Sequence, residues 1–153
     1  MTQPAREPAP LSRDDIVRAV RTWIGTPYQH QASLRGVGCD CLGLLRGVWR
    51  DLVGPEPERL APYASSWAEI DGRERLLDAA NRHLVPVEGE AIRPGNILIF
   101  RWKDGAPAKH CGIATANARF IHAHDGASVA EVALVPSWRR RIVARFDFPA
   151  LED

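Results

Sequence analysis

An apolar helical pattern that begins on a cysteine constrains this chain more than any other feature. After Gly38-Cys39-Asp40-Cys41-Leu42-Gly43, the residues Leu44, Leu45, Val48, Trp49, Leu52 and Val53 recur at i, i+1, i+4, i+5, i+8 and i+9. That spacing is one face of an α-helix, and the face must be buried against something. It places Cys41 at or just before the first helical turn, where unpaired backbone N–H groups favour negative charge. A thiol so placed loses its proton more readily. Cys41 is therefore a candidate nucleophile, provided a base reaches it from elsewhere in the fold.

The rest of the chain reads as one domain over residues 12–150, preceded by a flexible Pro-rich lead-in at residues 1–11. Ser12 with Asp15 has the form of an N-terminal capping box, with Asp in place of Glu. Ile16, Val17, Val20, Trp23 and Ile24 give the first helix its apolar face, and Gly25 ends it. Thr26-Pro27-Tyr28 is extended, because Pro27 disfavours a helical residue before it. Residues 29–38 form a loop, and the Cys41 helix stops at the Gly54-Pro55 signal. A Pro-rich connection covers 55–66. A helix over about 67–83 buries Trp67, Ile70, Leu76, Leu77 and Ala80, with Gly72 as its weak point.

Beyond this the pattern changes to strands. Val85-Pro86-Val87 is a short edge strand. Arg93-Pro94-Gly95-Asn96 is a turn, Ile97–Trp102 a buried strand, and Lys103-Asp104-Gly105 a second turn. Strands follow over 110–116, 119–124, 128–135 and 141–148, the first two joined as a hairpin at Ala116-Asn117-Ala118. Helices first and an antiparallel sheet afterwards make an α+β domain with the N-terminal helices packed on the sheet.

Composition excludes several classes. With 20 basic and 19 acidic side chains, nothing draws the chain to nucleic acid or to an anionic membrane. The run Arg139-Arg140-Arg141 reads as a solvated strand start rather than a phosphate site. Three cysteines, two of them at Cys39 and Cys41, do not form a disulfide framework. Reduced thiols fit synthesis in a cytoplasm. Residues 1–10 lack the apolar core of a signal peptide, and no run has the length of a membrane span. Action outside the cytoplasm would then require delivery by something else.

The base is sought among His30, His83, His110, His122 and His124. His110 opens one strand and His122 lies on its hairpin partner, where antiparallel neighbours bring side chains together. Cys41 would attack, His110 would take the thiol proton, and His122 would hold the His110 ring in the required tautomer. His124 has the same strand parity as His122, so periodicity alone does not choose between them. A buried cysteine is ordinarily a small hydrophobe and a strand histidine a satisfied core or surface group. What distinguishes these residues is their conjunction. A rival set for zinc would use Cys39, Cys41, His110, Cys111, His122 and His124. The C-x-C spacing and the opposite facing of His110 and Cys111 on a strand argue against it, so no metal or cofactor is expected. Cys39 reads as a loop residue and Cys111 as core.

On these residues the chain resembles the NlpC/P60 peptidases, papain-like cysteine endopeptidases of bacterial cell-wall peptides. The carriers are Gly25-Thr26-Pro27-Tyr28, Asp40-Cys41-Leu42-Gly43-Leu44, Arg93-Pro94-Gly95-Asn96-Ile97-Leu98-Ile99-Phe100, His110-Cys111-Gly112-Ile113-Ala114 and Phe120-Ile121-His122-Ala123. The resemblance implies that Cys41 is the nucleophile, His110 the base and His122 the orienting third member. It implies that Tyr28 sits beside the thiol to position substrate, and that Asp40 lies at the substrate's amino-terminal side. Oxyanion stabilisation would come from the nucleophile's own N–H and a nearby group. The implied substrate is a peptidoglycan stem peptide, cut between D-glutamate and diaminopimelate. Gly36-Val37-Gly38-Cys39-Asp40-Cys41-Leu42-Gly43-Leu44 with Arg46-Gly47-Val48-Trp49 is most similar to the phage and gene-transfer-agent branch. That branch implies a place in a phage-like tail, tail-hub proteins as partners and action in the periplasm of the target cell. An alternative role is a structural or plug component of the tail hub, and a weaker one is amidase chemistry on another substrate. Leu42 departs from the family, which mostly has Ser there. His30 stands in a loop where relatives carry other residues.

Overall fold

The computed structural model describes residues 10–58, 73–89 and 91–152. Helix α1 (Arg13–Arg21) starts with the expected capping box: Asp15 N–H donates to Ser12 Oγ at 3.1 Å, and Ser12 N–H donates to Asp15 Oδ2 at 3.0 Å. Ile16, Val17 and Val20 are buried along it. The helix stops three residues earlier than its apolar pattern. Thr22 Oγ1 donates to Ala19 O at 2.6 Å, and the chain enters a turn that reaches Gly25 at φ +90°. That turn keeps Trp23 in the core but leaves Ile24 47% exposed, correcting its assignment to the buried face. Leu11, assigned to the lead-in, is buried and forms a β-bridge with Leu151.

The loop at 29–38 contains a small hairpin, β1 (Ser33–Leu34) and β2 (Gly38–Cys39). Cys39 is therefore a fully buried strand residue rather than a loop residue, bridged to Tyr28 on its other side. Helix α2 (Cys41–Leu52) follows at once and buries Gly43, Leu44, Gly47 and Val48. Gly47 is a packing requirement. A Cβ there would lie 2.0 Å from Trp23 Cζ2, so glycine lets the indole of α1's trailing turn lie flat on α2. Helix α3 (Arg75–His83) faces the core with Leu76 and Ala80. The expected positions 67–72 of that helix lie outside the described residues.

The remaining elements are β3 (Val85–Pro86), β4 (Ile97–Phe100), β5 (His110–Ala116), β6 (Arg119–His122), β7 (Ala130–Ala133), a single-turn helix α4 (Pro136–Arg139) and β8 (Ile142–Asp147). The strands form one six-stranded antiparallel sheet in the order β3-β8-β4-β5-β6-β7. Its middle is buried on both faces, which explains the continuous apolar run of β4. Ile97, Ile99, Cys111, Ile113 and Ile121 meet Val20, Trp23, Leu44 and Val48 on the helix side. Leu98, Phe100, Ala114 and Phe120 meet Ile92, Leu134 and Trp138 on the other. The arginine run ends α4 and leads into β8 rather than opening a strand. Pro136 starts that helical turn, and Arg139 donates to Asn117 O at 2.7 Å.

Replacing Gly47 by Ala separates two effects of opposite sign. Helix propensity alone would stabilise by up to about 1 kcal/mol, whereas overpacking against Trp23 costs about 1–3 kcal/mol. The expected outcome is a lower urea midpoint for Gly47→Ala than for wild type, followed by tryptophan fluorescence.

Candidate active site

The site begins with the cap of α2. Asp40 is 3% exposed, and its carboxylate is engaged inside the protein. Oδ1 accepts from Gly43 N–H at 2.7 Å and closes the helix start, while Oδ2 accepts from Gln31 N–H at 2.8 Å and ties down the preceding loop. His30 Nδ1 lies 3.8 Å from Oδ2 on the exposed side. One carboxylate thus fixes both where α2 begins and where the loop beside it runs. Cys41 is the first residue of the helix, and its sulfur sits at the start of β5, with Sγ 3.8 Å from Lys109 O.

Cys41 is the partly exposed thiol of the three, and Cys39 and Cys111 are buried. Their proton affinities diverge accordingly. A hydrogen bond from the Cys111 thiol, then a hydrogen bond and charge from His110, hold Cys41 well below the ordinary thiol range. Burial and the Asp40 charge oppose this and are outweighed. The unpaired N–H groups of the first turn of α2 act in the same direction as His110. Cys111 is pushed well above the thiol range by the same contact with Cys41 and by burial. Cys39 is pushed up to about 12 by burial, with Asp40 and Cys41 adding to it. Tyr28 is half-buried beside this group, and burial together with the charges of Cys41 and Asp40 raises its hydroxyl to about 12. Its hydroxyl therefore stays a donor.

His110 Nε2 and His122 Nδ1 are 2.8 Å apart. Burial, then the charges of His110 and His124, push His122 down to about 3, so it is neutral at working pH. A neutral ring offering Nδ1 as acceptor carries its own proton on Nε2. In that tautomer it receives a hydrogen bond from His110 Nε2–H. With Nε2 so committed, Nδ1 is the His110 nitrogen left to exchange a proton with Cys41. That tautomer is the one that would let His110 act as a base, with His122 accepting from the imidazolium that a thiol proton transfer would form.

His124, of equal parity, takes no part in that bond. Strand β6 ends at His122, and His124 lies beyond it, exposed and stacked on the His122 ring with centroids 5.7 Å apart. The five residues singled out for the site, Cys41, His110, His122, Tyr28 and Asp40, are brought together. His83 is remote, on α3, 3.4 Å from Glu58. Cys111 faces α2 whereas His110 faces the aromatic side, so the zinc set does not converge. Among the described residues no group of three or more His, Cys, Asp or Glu is placed to hold a metal.

The sequence reading missed the wall that holds His110. Its ring is bounded by Trp102, Phe100 and Trp138 at centroid distances of 4.9, 5.5 and 5.7 Å. Phe100 and Trp102 share a parity along one extended segment, a signal that pointed to a common face. Trp138 comes from the unexpected turn α4 and gave no such signal.

Iodoacetamide at neutral pH is expected to label Cys41 well before Cys39 or Cys111. The half-point of the Cys41 alkylation rate should fall at lower pH than that of a free thiol. Mass-spectrometric peptide mapping against pH checks both.

Comparison with known proteins agrees with this architecture. A profile described as the NlpC/P60 family matches residues 25–145. Murein DD-endopeptidase MepH of Escherichia coli (strain K12) is 31% identical over 98 residues, covering 64% of this chain and 31% of that protein. Probable endopeptidase NlpC of the same organism is 28% identical over 116 residues, covering 75% of this chain and 64% of that protein. The chain thus spans less than two thirds of the length of either relative. A crystal structure of an NlpC/P60 family protein from Bacillus cereus ATCC 10987 superposes with a TM-score of 0.65 at 19% identity, over 92% of this chain and 41% of that one. The shared fold is α+β with helices packed on an antiparallel sheet, the papain-like architecture expected from the sequence. A match from Gly25 to Arg145 takes in the thiol, both imidazoles and the sheet that carries them, and the chain belongs to the NlpC/P60 family of cysteine peptidases.

Proposed function

We propose that this chain is a cysteine endopeptidase acting on peptidoglycan stem peptides. The observation that carries the reading is the Cys41–His110–His122 arrangement, formed at the junction of α2 and the sheet within a cysteine-peptidase fold. His110 Nδ1 takes the Cys41 proton, and the thiolate attacks the scissile carbonyl carbon. The resulting oxyanion is met by the Cys41 N–H, a first-turn donor of α2. Protonated His110 gives its proton to the leaving amine as the C–N bond breaks, leaving a thioester. Water, deprotonated by His110, then releases the acid and restores the thiol. The Tyr28 hydroxyl, held protonated beside the sulfur, donates to the bound peptide.

The peptidoglycan substrate is supported by the family and by the names of the two Escherichia coli relatives. For the bond, we propose the D-glutamyl–diaminopimelate link, on the family resemblance of the site motifs. Asp40 contributes negative charge near the substrate's amino end, although its oxygens also serve as cap and tether. Leu42, in place of the usual Ser, lines a largely apolar cavity with Leu45, Trp49, Leu76 and Leu84 and offers substrate no hydroxyl. Amine recognition at that subsite therefore depends on other groups.

Delivery in a phage-like tail to the periplasm of a target cell is part of the proposal, supported by the Gly36–Trp49 sequence pattern. It implies stable association with tail-hub proteins that survives Cys41→Ala. The competing role of a hub plug without activity is separated by assay. Purified protein incubated with sacculi should release muropeptides cut between D-glutamate and diaminopimelate, identified by mass spectrometry. Cys41→Ala should lower release by about a thousandfold or more. Equal release by both proteins, or none by either, contradicts the peptidase reading. Products cut only at D-alanyl cross-links correct the bond.

A further inference from the structure

Trp102 bounds the His110 ring and also lines a second hollow in the surface. That hollow has a volume of about 510 Å³, the size of a small-ligand site. The segment after β4 contributes Arg101, Lys103 and Asp104 to it, and the junction of α4 with β8 contributes Arg140 and Arg141. Arg101 is answered by Glu74 at 2.8 Å. The other three cations share the hollow with a single carboxylate, Asp104. Like charges gathered in a concave site leave an excess of positive potential that draws anions. The arginine run read from the sequence as merely solvated thus places two of its members around a cavity.

The hollow is braced to the wall of the candidate active site. Arg141 Nε donates to Trp102 O at 3.4 Å and its Nη1 to Ser137 O at 3.1 Å, while Arg101 N–H donates to Arg141 O at 2.8 Å. The Trp102 ring in turn lies 4.9 Å from that of His110. The two sites therefore share one residue as a wall.

We propose that this hollow is a carboxylate-binding subsite for the peptide that Cys41 cuts, with Lys103, Arg140 and Arg141 as its cations. This rests on the peptidase reading above. Glutamate and diaminopimelate each have one carboxyl group more than a linear chain needs for its links, so the peptide around the scissile bond carries free carboxylates. Guanidinium groups match a carboxylate in shape as well as in charge.

The test uses Cys41→Ala protein, which does not turn the peptide over. It is titrated calorimetrically with synthetic L-alanyl-γ-D-glutamyl-diaminopimelate and with the same tripeptide bearing a carboxamide at every carboxylate. The carboxamide form is expected to bind about tenfold more weakly. Nitrogen-15 spectra should show the Arg140 and Arg141 Nε–H signals moving with the carboxylate form alone. Lys103 and Arg140 are exposed, and an unchanged backbone amide spectrum reports that their removal leaves the fold intact. Each exposed cation accounts for about threefold in affinity, so adding Lys103→Gln with Arg140→Gln should weaken the carboxylate form about tenfold and leave the carboxamide form unchanged. Equal binding of the two peptides, binding of neither, or undiminished discrimination in the double variant overturns the proposal. Inorganic phosphate at constant ionic strength should bind more weakly than the tripeptide; tighter binding makes this a phosphate site and overturns the carboxylate assignment. Wild-type protein that cuts sacculi while the two peptides bind alike keeps the peptidase reading and loses the subsite. Protein inert on sacculi that still discriminates through these cations does the reverse.

Discussion

The start of α2 has to coincide with the start of β5, and everything chemical in this protein depends on that coincidence. The Asp40 carboxylate enforces it locally by capping the helix at Gly43 and anchoring the preceding loop at Gln31. The close approach of Trp23 to Gly47 enforces it globally, by setting how α2 lies between α1's trailing turn and the sheet. A cap alone would fix which residue is first in the helix but not what that residue meets. Packing alone would fix the helix axis but not its register. Together they put the Cys41 sulfur beside Lys109 O, just before β5, and the Cys41 backbone oxygen beside the Cys111 thiol.

The electrostatics follow from that placement. Cys41 has a negative neighbour in Asp40 and a partly buried setting, both of which oppose ionisation. Donors converge on it from β5, and the helix terminus adds its field, so the balance tips toward thiolate. The second imidazole matters because it stays uncharged. A permanently protonated His122 would present an N–H to His110 Nε2 and force the opposite tautomer. Burial and two neighbouring rings keep it neutral, the state in which its Nδ1 is able to accept. In the proposed mechanism the aromatic wall is part of the acid–base device, since Trp102, Phe100 and Trp138 bound the ring that would transfer the proton.

Much of this was legible in the residues, for identifiable reasons. The α2 pattern is long and strictly periodic, and its Gly-Pro stop is strong, so Cys41's position came directly from it. Strand β5 was located at both ends because His110 follows a turn and Ala116 opens a hairpin. The choice of His122 over His124 came from the family resemblance, because parity does not encode that β6 ends at His122. The early end of α1 came from a Thr22 side chain bonding back to the helix, a local competition invisible in the apolar pattern. The β1–β2 hairpin was missed because its strands have only two residues each, too short for any alternation to register. The turn α4 is four residues long and buries none of them fully, so Pro136 at its start is its one mark in the sequence. Cys111 was recognised as core, but its contact with Cys41 depends on helix–sheet packing that no single segment specifies.

The most direct measurement of the central claim is the protonation of the His122 ring. Nitrogen-15 NMR of histidine-labelled protein reports which ring nitrogen bears the proton and at what pH the second one arrives. The account predicts a neutral ring protonated on Nε2, with Nδ1 accepting from His110, persisting on acidification until pH approaches about 3. A His122 that carries its proton on Nδ1, or that becomes charged near pH 6.5 like a free imidazole, would contradict it.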